Sequence, residues 1–251
     1  MIRAVIFDLD GTLIKTEQLK AESYARAAVQ LKPGVFTEAE AIAAFEDFLG
    51  GSREEVAKGM MERLGLESAA RKRMAEFGAS APWQVYTRLR LRIFEEILSD
   101  ESILKQYAWQ HNLDLLNKVR AEHCKVGLAT MSYCPQVQRS LHALGLENAF
   151  DFIATREDVE NPKPDPEIYL LVAHSLGVPP TECMVVEDSV AGVKAGLAAG
   201  ALVVAVATKL TRRKLHESGL LDDHHIVDHP SALLETIAHL MAHHKNGHVA
   251  I

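Results

Sequence analysis

Two aspartates, Asp8 and Asp10, directly follow a short apolar segment at the start of the chain. That segment, Ala4–Phe7, is apolar at every position, which is typical of a strand buried on both faces of a parallel sheet. In extended backbone, side chains two residues apart point to the same side, and Gly11 then permits a sharp turn. Two carboxylates at the edge of a core repel each other, so a divalent cation or a shared proton is the expected partner. The alternative is an acidic strand end that forms an ordinary turn.

Other residues of matching chemistry end apolar segments or lie in a proline-restricted loop further along the chain. These residues are Thr130, Lys163, Glu187 and Asp188. In a doubly wound sheet the ligand site lies outside the carboxyl ends of the strands, so we expect these side chains to converge with the two aspartates. The three prolines of the NPKPDP segment limit its backbone and favour a fixed position for the lysine.

This combination of groups favours phosphoryl chemistry. Carboxylates from two strands form a hard oxygen site suited to Mg²⁺, while a lysine and a hydroxyl offer donors to an anion such as phosphate. A carboxylate beside Mg²⁺ can attack phosphorus, because the metal and the lysine reduce the repulsion between two anions. Asp8 would then become a phosphoaspartate. Asp10 could protonate the leaving alcohol and later deprotonate an attacking water.

The composition narrows the class of protein. The chain has 251 residues, 48% of them hydrophobic, which is enough for one large domain or two modest ones. No apolar segment reaches membrane-spanning length, so we expect a cytoplasmic protein without a membrane partner. A formal net charge of -7 opposes nucleic-acid binding. Three cysteines without paired short spacing indicate neither a disulfide framework nor a zinc site. For the assembly we expect a monomer or a weak homodimer.

The pattern of elements predicts an α/β fold with an inserted helical domain. From about residue 102 onward, short apolar segments alternate with helical segments, which indicates a doubly wound parallel sheet in a Rossmann-like core. Residues 17–98 have helical character throughout, with Thr37 and Ser52 as predicted helix caps. We therefore assign residues 1–16 and 99–251 to the core and 17–98 to a helical cap. On the last long helix of that region, helical spacing puts Arg88 and Arg92 on one face and Arg90 elsewhere. We interpret all three as solvent-facing side chains.

Four motifs in order, DLDGT, LATMS, KPDP and VVEDS, resemble those of the haloacid dehalogenase superfamily. The chain is most similar to the subfamily I members with a helical cap, in the β-phosphoglucomutase-like branch of phosphatases. GGSREE, at residues 50–55, also resembles a cap loop of that branch. The resemblance implies a nucleophile, a general acid and base, two phosphoryl-binding groups and a Mg²⁺ site. Asp8 would be the nucleophile, and Asp10 the general acid and base. Thr130 and Lys163 would bind the phosphoryl group. Asp8, the Asp10 carbonyl and Asp188 would hold Mg²⁺, with Glu187 beside them.

The resemblance also implies substrate-binding residues outside the core motifs. Arg53 matches the cap arginine that meets a substrate phosphate in the mutase, and Gly51 lies in the same loop. Ser132 follows Thr130 in the polar loop that helps to hold the distal phosphate in the mutase. Lys20 stands where the mutase has a histidine tied to its acid and base control, and we expect Lys20 to bind a phosphate or a carboxylate.

We therefore expect a Mg²⁺-dependent phosphatase that acts on a small phosphorylated metabolite, for which a sugar phosphate is our first choice. The alternative enzyme is a phosphosugar mutase, in which a sugar hydroxyl rather than water accepts the phosphoryl group. Lys20 favours hydrolysis, because an ammonium is a poor proton shuttle near neutral pH. A third alternative is a metabolite-binding protein that keeps the fold without turnover.

Overall fold

The structure, a computed structural model, describes residues 1–48 and 52–244. The chain forms two compact units, Met1–Lys15 with Leu104–Ile251 and Thr16–Ile103. Gly51, a predicted substrate-binding residue, lies outside the described residues. Among the helices of the described ranges, none combines the length and the apolarity that are needed to cross a membrane.

The first unit contains a six-stranded sheet in which every pair of neighbouring strands is parallel. The strands lie in the order β3-β2-β1-β4-β5-β6. Their bounds are β1 Ala4–Phe7, β2 Lys125–Ala129, β3 Phe152–Ala154, β4 Cys183–Glu187, β5 Leu202–Val206 and β6 Ile226–Val227. Helices connect successive strands, so the predicted doubly wound, Rossmann-like α/β core is confirmed.

Helices make up the rest of the regular structure. In chain order they are α1 Thr16–Leu31, α2 Glu38–Glu46, α3 Arg53–Leu64, α4 Glu67–Lys72, α5 Pro82–Leu98, α6 Glu101–Gln106, α7 Gln110–Ala121, α8 Cys134–Leu144, α9 Glu167–Leu176, α10 Val190–Ala198, α11 Arg212–Glu217 and α12 Leu233–His244. Helices α1 to α5 belong to the second unit, and α7 to α12 belong to the first.

The central strand β1 is buried along its whole length, as its continuous apolar sequence predicts. It lies between β2 and β4, and Phe7 is in register with Leu128 on one side and Val186 on the other. Because the three strands are parallel and end at nearly the same level, the residues that follow them emerge at one edge of the sheet. The core of this unit continues from the sheet into α9 and α10.

In the second unit, capping boxes start two helices where the sequence predicts them. The Thr37 side chain accepts a hydrogen bond from the Glu40 amide, and the Ser52 side chain accepts one from the Glu55 amide. Pro82 begins α5, also as predicted. One prediction for this helix was wrong, because the Arg90 side chain is buried rather than solvent-facing.

The two segments that connect the units run beside each other, and both belong to the first unit. The Lys15 amide donates to the Tyr107 carbonyl at 2.8 Å, and the Trp109 amide donates to the Leu13 carbonyl at 2.9 Å. Ile14 and Ala108 form an antiparallel bridge between these two bonds. The chain therefore leaves the first unit and returns to it at a single hydrogen-bonded stem.

Candidate active site

The site lies at the carboxyl ends of β1, β2 and β4. Asp8 follows β1, and its amide donates to the Val186 carbonyl at 3.0 Å, which extends the strand pairing by one residue. Thr130 follows β2, and its amide donates to the Ala154 carbonyl of β3 at 3.0 Å. Both side chains are buried. Regular backbone pairing therefore fixes the positions of the carboxylate and the hydroxyl.

Lys163 brings a single ammonium group into this edge of the sheet. Its side chain is only 5% exposed, and Nζ lies 2.7 Å from Asp8 Oδ1 and 2.7 Å from Glu187 Oε1. Nζ also donates to the Ala129 carbonyl at 2.9 Å. A lysine with three short acceptors has all its protons engaged, so its flexible stem is held in one conformation. The predicted convergence of Lys163 with the strand-end carboxylates is present in the structure.

Both oxygens of the Glu187 carboxylate accept several hydrogen bonds. Oε1 accepts from Lys163 Nζ and from the Tyr169 hydroxyl, at 2.7 and 2.9 Å. Oε2 accepts from the amides of Asp188 and Ser189 and from Ser189 Oγ, at 2.9 to 3.0 Å. Ser189 is the N-cap of α10, and its side chain accepts from the Gly192 amide. The Glu187 carboxylate is therefore fixed at the N-terminus of a helix, where a negative charge is favourable.

The pKa values follow from burial and from this one ammonium. Burial raises the pKa of Asp8 to about 8; Lys163 offsets part of the rise, whereas Glu187 and Asp10 add to it. Burial acts in the same direction on Glu187, but Lys163 and the donors at Ser189 and Tyr169 hold its pKa below the usual range. Burial opposes the charge on Lys163, yet the two carboxylates keep its pKa well above the ordinary value.

The arrangement fits a divalent cation. Oxygen atoms of Asp8, Glu187 and Asp188 lie within 4.8 Å of one another, and all three residues are buried. One ammonium faces this group of carboxylates, so further positive charge is needed for Asp8 to ionise fully at neutral pH. Carboxylate oxygens are the ligands that Mg²⁺ prefers in proteins.

Asp10 is held by the loop after β2. Its Oδ2 accepts a hydrogen bond of 2.5 Å from Ser132 Oγ and a longer one of 3.4 Å from Thr130 Oγ1. The Ser132 amide in turn donates to Thr130 Oγ1 at 3.1 Å. The structure therefore brings Ser132, a predicted substrate-binding residue, against Asp10.

Gly11 allows the turn after Asp10 to pass close to the Asp188 carboxylate. Its φ is +89°, and a Cβ atom there would lie 2.0 Å from Asp188 Oδ2. Only glycine avoids both the strained backbone and the collision. The glycine of the DLDGT motif therefore permits the turn and also leaves room for the Asp188 carboxylate.

The predicted substrate-binding residues Lys20 and Arg53 belong to the second unit. Lys20 lies on α1, where Nζ is 2.7 Å from Glu17 Oε1. Arg53 is the first residue of α3 and is exposed. The structure groups the predicted residues of the core motifs at one sheet edge, and it leaves the substrate-binding roles of these two cap residues as predictions.

The sequence analysis did not identify two residues of the site. Tyr169, on α9, is 1% exposed and bonds Glu187 through its hydroxyl, while its ring centroid lies 4.8 Å from Lys163 Nζ. Gly192, on α10, packs so closely that a Cβ atom would lie 1.7 Å from Glu187 Oε1. Both residues read as ordinary helix positions, and only the packing of α9 and α10 against the sheet reveals their contacts.

Comparisons with known proteins agree with this geometry. The sequence profile of the haloacid dehalogenase-like hydrolases matches residues 5–206. A phosphorylated carbohydrates phosphatase of Thermotoga maritima is 33% identical over 203 residues, which cover 79% of this chain and 82% of the relative. A phosphoglycolate phosphatase of Shigella boydii is 30% identical over 204 residues and covers 79% of each chain.

A solved structure from Thermotoga maritima, described as a candidate β-phosphoglucomutase, has a TM-score of 0.65 at 29% identity and covers 95% of this chain and 99% of its own. A hydrolase structure from Deinococcus radiodurans has a TM-score of 0.68 at 22% identity, over 95% and 96% of the two chains, and supports the fold alone. The resemblance carried by the four motifs is confirmed. The chain belongs to the haloacid dehalogenase-like hydrolases, as an enzyme of the phosphatase class.

Proposed function

We propose that the protein is a Mg²⁺-dependent phosphatase that hydrolyses a small phosphorylated metabolite through a phosphoaspartate at Asp8. The observation that carries the proposal is the Lys163 ammonium, which is buried between Asp8 and Glu187 at 2.7 Å from each. A cation held beside a buried carboxylate lowers the repulsion that an incoming phosphate would meet. Mg²⁺ would be held by Asp8 and Asp188, with Glu187 beside them. When bound, Mg²⁺ supplies further charge neutralisation at the phosphoryl oxygens.

The chain's own residues can perform both halves of the reaction. A carboxylate oxygen of Asp8 forms a bond to phosphorus while the bond between phosphorus and the ester oxygen breaks. Asp10, protonated at a carboxyl oxygen, gives that proton to the leaving alcohol. In the second half, Asp10 removes a proton from water, the water oxygen bonds to phosphorus, and the acyl phosphate bond to Asp8 breaks. In this reaction Thr130 Oγ1 would donate to one phosphoryl oxygen, and Lys163 Nζ would exchange one of its three present acceptors for another.

We propose a phosphorylated carbohydrate as the substrate, in a cytoplasmic enzyme. The support is the Thermotoga maritima relative, which is named a phosphorylated carbohydrates phosphatase. The candidate β-phosphoglucomutase structure keeps the mutase as a second candidate function. Hydrolysis is favoured because Lys20, which stands where the mutase has its control histidine, is ion-paired with Glu17. An ammonium in an ion pair is a poor proton shuttle near neutral pH.

The test is phosphate release from a panel of sugar phosphates and other phosphometabolites, with and without Mg²⁺. We expect Asp8→Asn to lower kcat by about 10³-fold or more and Asp10→Asn to lower it by about 10²- to 10⁴-fold. Asp114→Asn is the control, because within residues 1–48 and 52–244 this exposed carboxylate bonds only its helix neighbour Gln110. Conversion of glucose 1-phosphate to glucose 6-phosphate without net release would establish the mutase instead. Release that persists in Asp8→Asn would contradict the phosphoaspartate mechanism.

A further inference from the structure

Asn112, near the start of α7, joins the core of the first unit to the turn that follows Asp10. Its side chain is buried, and Nδ2 donates a hydrogen bond to the Thr12 carbonyl, 100 residues earlier in the sequence. Within residues 1–48 and 52–244, this carbonyl accepts no other hydrogen bond. Buried polar side chains ordinarily have a partner, and here the partner is the backbone of the turn. One side chain of a core helix therefore holds the turn at residues 10–12.

The turn has few other restraints near Thr12. The Thr12 side chain is buried, and its hydroxyl finds no hydrogen-bond partner among the described residues. Gly11 and Asn112 line a small cavity, so packing on this side leaves the turn room to move. Gly11 has a φ of +89°, and without a Cβ atom its backbone is conformationally free. Because neither packing nor the Thr12 hydroxyl fixes this backbone, its position depends on the Asn112 bond.

Helix α7 is a firm base for this bond. The helix packs against β2 and α12, and it buries the side chains of Leu115, Leu116 and Val119. The Asn112 amide donates to the Trp109 carbonyl at 3.0 Å, so Asn112 belongs to the first turn of the helix. A donor on a packed helix is held more precisely than a donor on a loop. The helix therefore sets the place of the Thr12 carbonyl.

The turn carries two groups of the proposed site. The Asp10 carboxylate, two residues before Thr12, accepts a hydrogen bond of 2.5 Å from Ser132 Oγ. Gly11 passes so close to Asp188 that a Cβ atom would lie 2.0 Å from its Oδ2. Proton transfer needs donor and acceptor within hydrogen-bond reach, and a misplacement of about 1 Å costs about 10²-fold in rate. A shift of the turn at Thr12 would thus reach the reacting geometry of Asp10.

We propose that Asn112 is a positioning residue for the reaction, which acts through the Thr12 carbonyl to hold the Asp10 carboxyl group where it protonates the leaving alcohol. This inference rests on the proposed function and adds a residue to it. The Asp10 proton goes to the ester oxygen while the bond between that oxygen and phosphorus breaks. The contribution of Asp10, and therefore that of Asn112, grows with the basicity of the leaving group.

The test compares two phosphate esters of similar size whose leaving groups differ in basicity. Benzyl phosphate releases an alkoxide that needs a proton, whereas p-nitrophenyl phosphate releases a weakly basic phenolate that leaves without one. The variants are Asn112→Leu, which keeps the side-chain size but removes the donor, and Asn112→Ala, which adds no bulk. Asn117→Leu is the matched control, because this asparagine is exposed on the same helix. Asp10→Asn gives the pattern expected when the acid itself is lost.

We expect Asn112→Leu to lower kcat/KM for benzyl phosphate by roughly 10- to 100-fold. For p-nitrophenyl phosphate the decrease should stay within about threefold, because its leaving group does not need the acid. Asn112→Ala should show the same difference between the substrates, and Asn117→Leu should change neither value by more than about twofold. An equal decrease for both esters would indicate a merely structural role, and that result, like no decrease for either, would overturn the proposal.

Asp10→Asn separates a failure of this inference from a failure of the proposed function. If Asp10→Asn distinguishes the two esters and Asn112→Leu does not, the inference is refuted while the acid role of Asp10 stands. If Asp10→Asn lowers kcat/KM equally for both esters, the acid role is refuted, and the inference falls with it.

Hydrogen exchange tests the positioning without turnover. The Gly11 amide donates to the Ile14 carbonyl at 2.7 Å inside the turn, and its exchange rate can be followed by NMR. We expect Asn112→Leu to speed this exchange by about 10-fold or more, because the turn loses its tie to α7, and Asn117→Leu to leave it unchanged. Equal exchange in the wild type and in Asn112→Leu would refute the inference even if the protein hydrolysed neither ester.

Discussion

Gly192→Ala tests the packing that fixes the Glu187 carboxylate. On helix propensity alone, alanine within α10 would stabilise the protein by about 1 kcal/mol relative to glycine. The structure predicts that alanine at this position instead lowers the free energy of unfolding. A Cβ atom at this position would lie 1.7 Å from Glu187 Oε1 and 2.3 Å from Oε2, far inside any normal contact. Either the carboxylate or the helix must move by more than 1 Å.

The size of the effect follows from the hydrogen bonds that such a movement breaks. Glu187 is 1% exposed and cannot turn into water, and its five bonds are 2.7 to 3.0 Å long. A displacement above 1 Å takes at least two of them beyond bonding distance, at about 1.5–3 kcal/mol for each bond to a charged group. After the helix-propensity gain, we expect the free energy of unfolding to fall by about 2–5 kcal/mol.

The assay is a urea titration followed by circular dichroism, with Lys194→Ala as the control. Lys194 is exposed on the same helix, so the same new residue should change the free energy of unfolding by no more than about 0.5 kcal/mol there. A Gly192→Ala protein that is as stable as the wild type, or more stable, would refute the account of how Glu187 is held.

The remaining predictions concern one buried hydroxyl and one exposed histidine. Tyr169→Phe removes a donor to the buried Glu187 carboxylate. We expect the free energy of unfolding to fall by about 2 kcal/mol and the Tm by about 4–8 °C. An unchanged Tm would contradict this. The ring N–H groups of protonated His216 donate to the Asp228 and Asp223 carboxylates, which raises the pKa of His216 above its ordinary value. The stabilisation of the folded state by this pairing is therefore fully present below about pH 6.5 and disappears as the pH rises through the folded-state pKa. We expect His216→Gln to lower the Tm at pH 5.5 but not at pH 9. An equal effect at both pH values would refute the pairing.

The sequence analysis was most informative where local pattern and chemistry coincide. The uninterrupted apolar residues before Asp8 predicted the buried strand β1, and the parallel arrangement then implied that Thr130 and Asp188 emerge at the same edge. That inference needs only the rule that parallel strands end together, which is why it held without any knowledge of packing. The two-residue strand β6, by contrast, is too short to show a period, and the sequence did not reveal it.

The contacts that the sequence did not reveal all depend on how one helix packs against another element. Tyr169 reads as one more aromatic residue of a helix, and its hydroxyl contact depends on the distance between α9 and β4. The helical period separated Arg90 from Arg88 and Arg92, but it could not show which face of α5 is buried. The sequence alone therefore led to the wrong prediction that Arg90 faces solvent.

The hydrogen-bonded stem at which the inserted segment leaves and rejoins the first unit makes that segment replaceable. The backbone bonds of Leu13 and Lys15 with Tyr107 and Trp109 join two points that are about ninety residues apart in sequence. A turn of two to four residues could therefore replace the intervening segment without stretching the backbone on either side. The first unit would retain every side chain of the proposed hydrolytic site, including Asp8, as a scaffold into which other segments could be inserted. The side chains proposed for phosphoryl chemistry therefore all come from the two segments of the first unit, so the inserted segment can diversify in sequence while those residues are preserved.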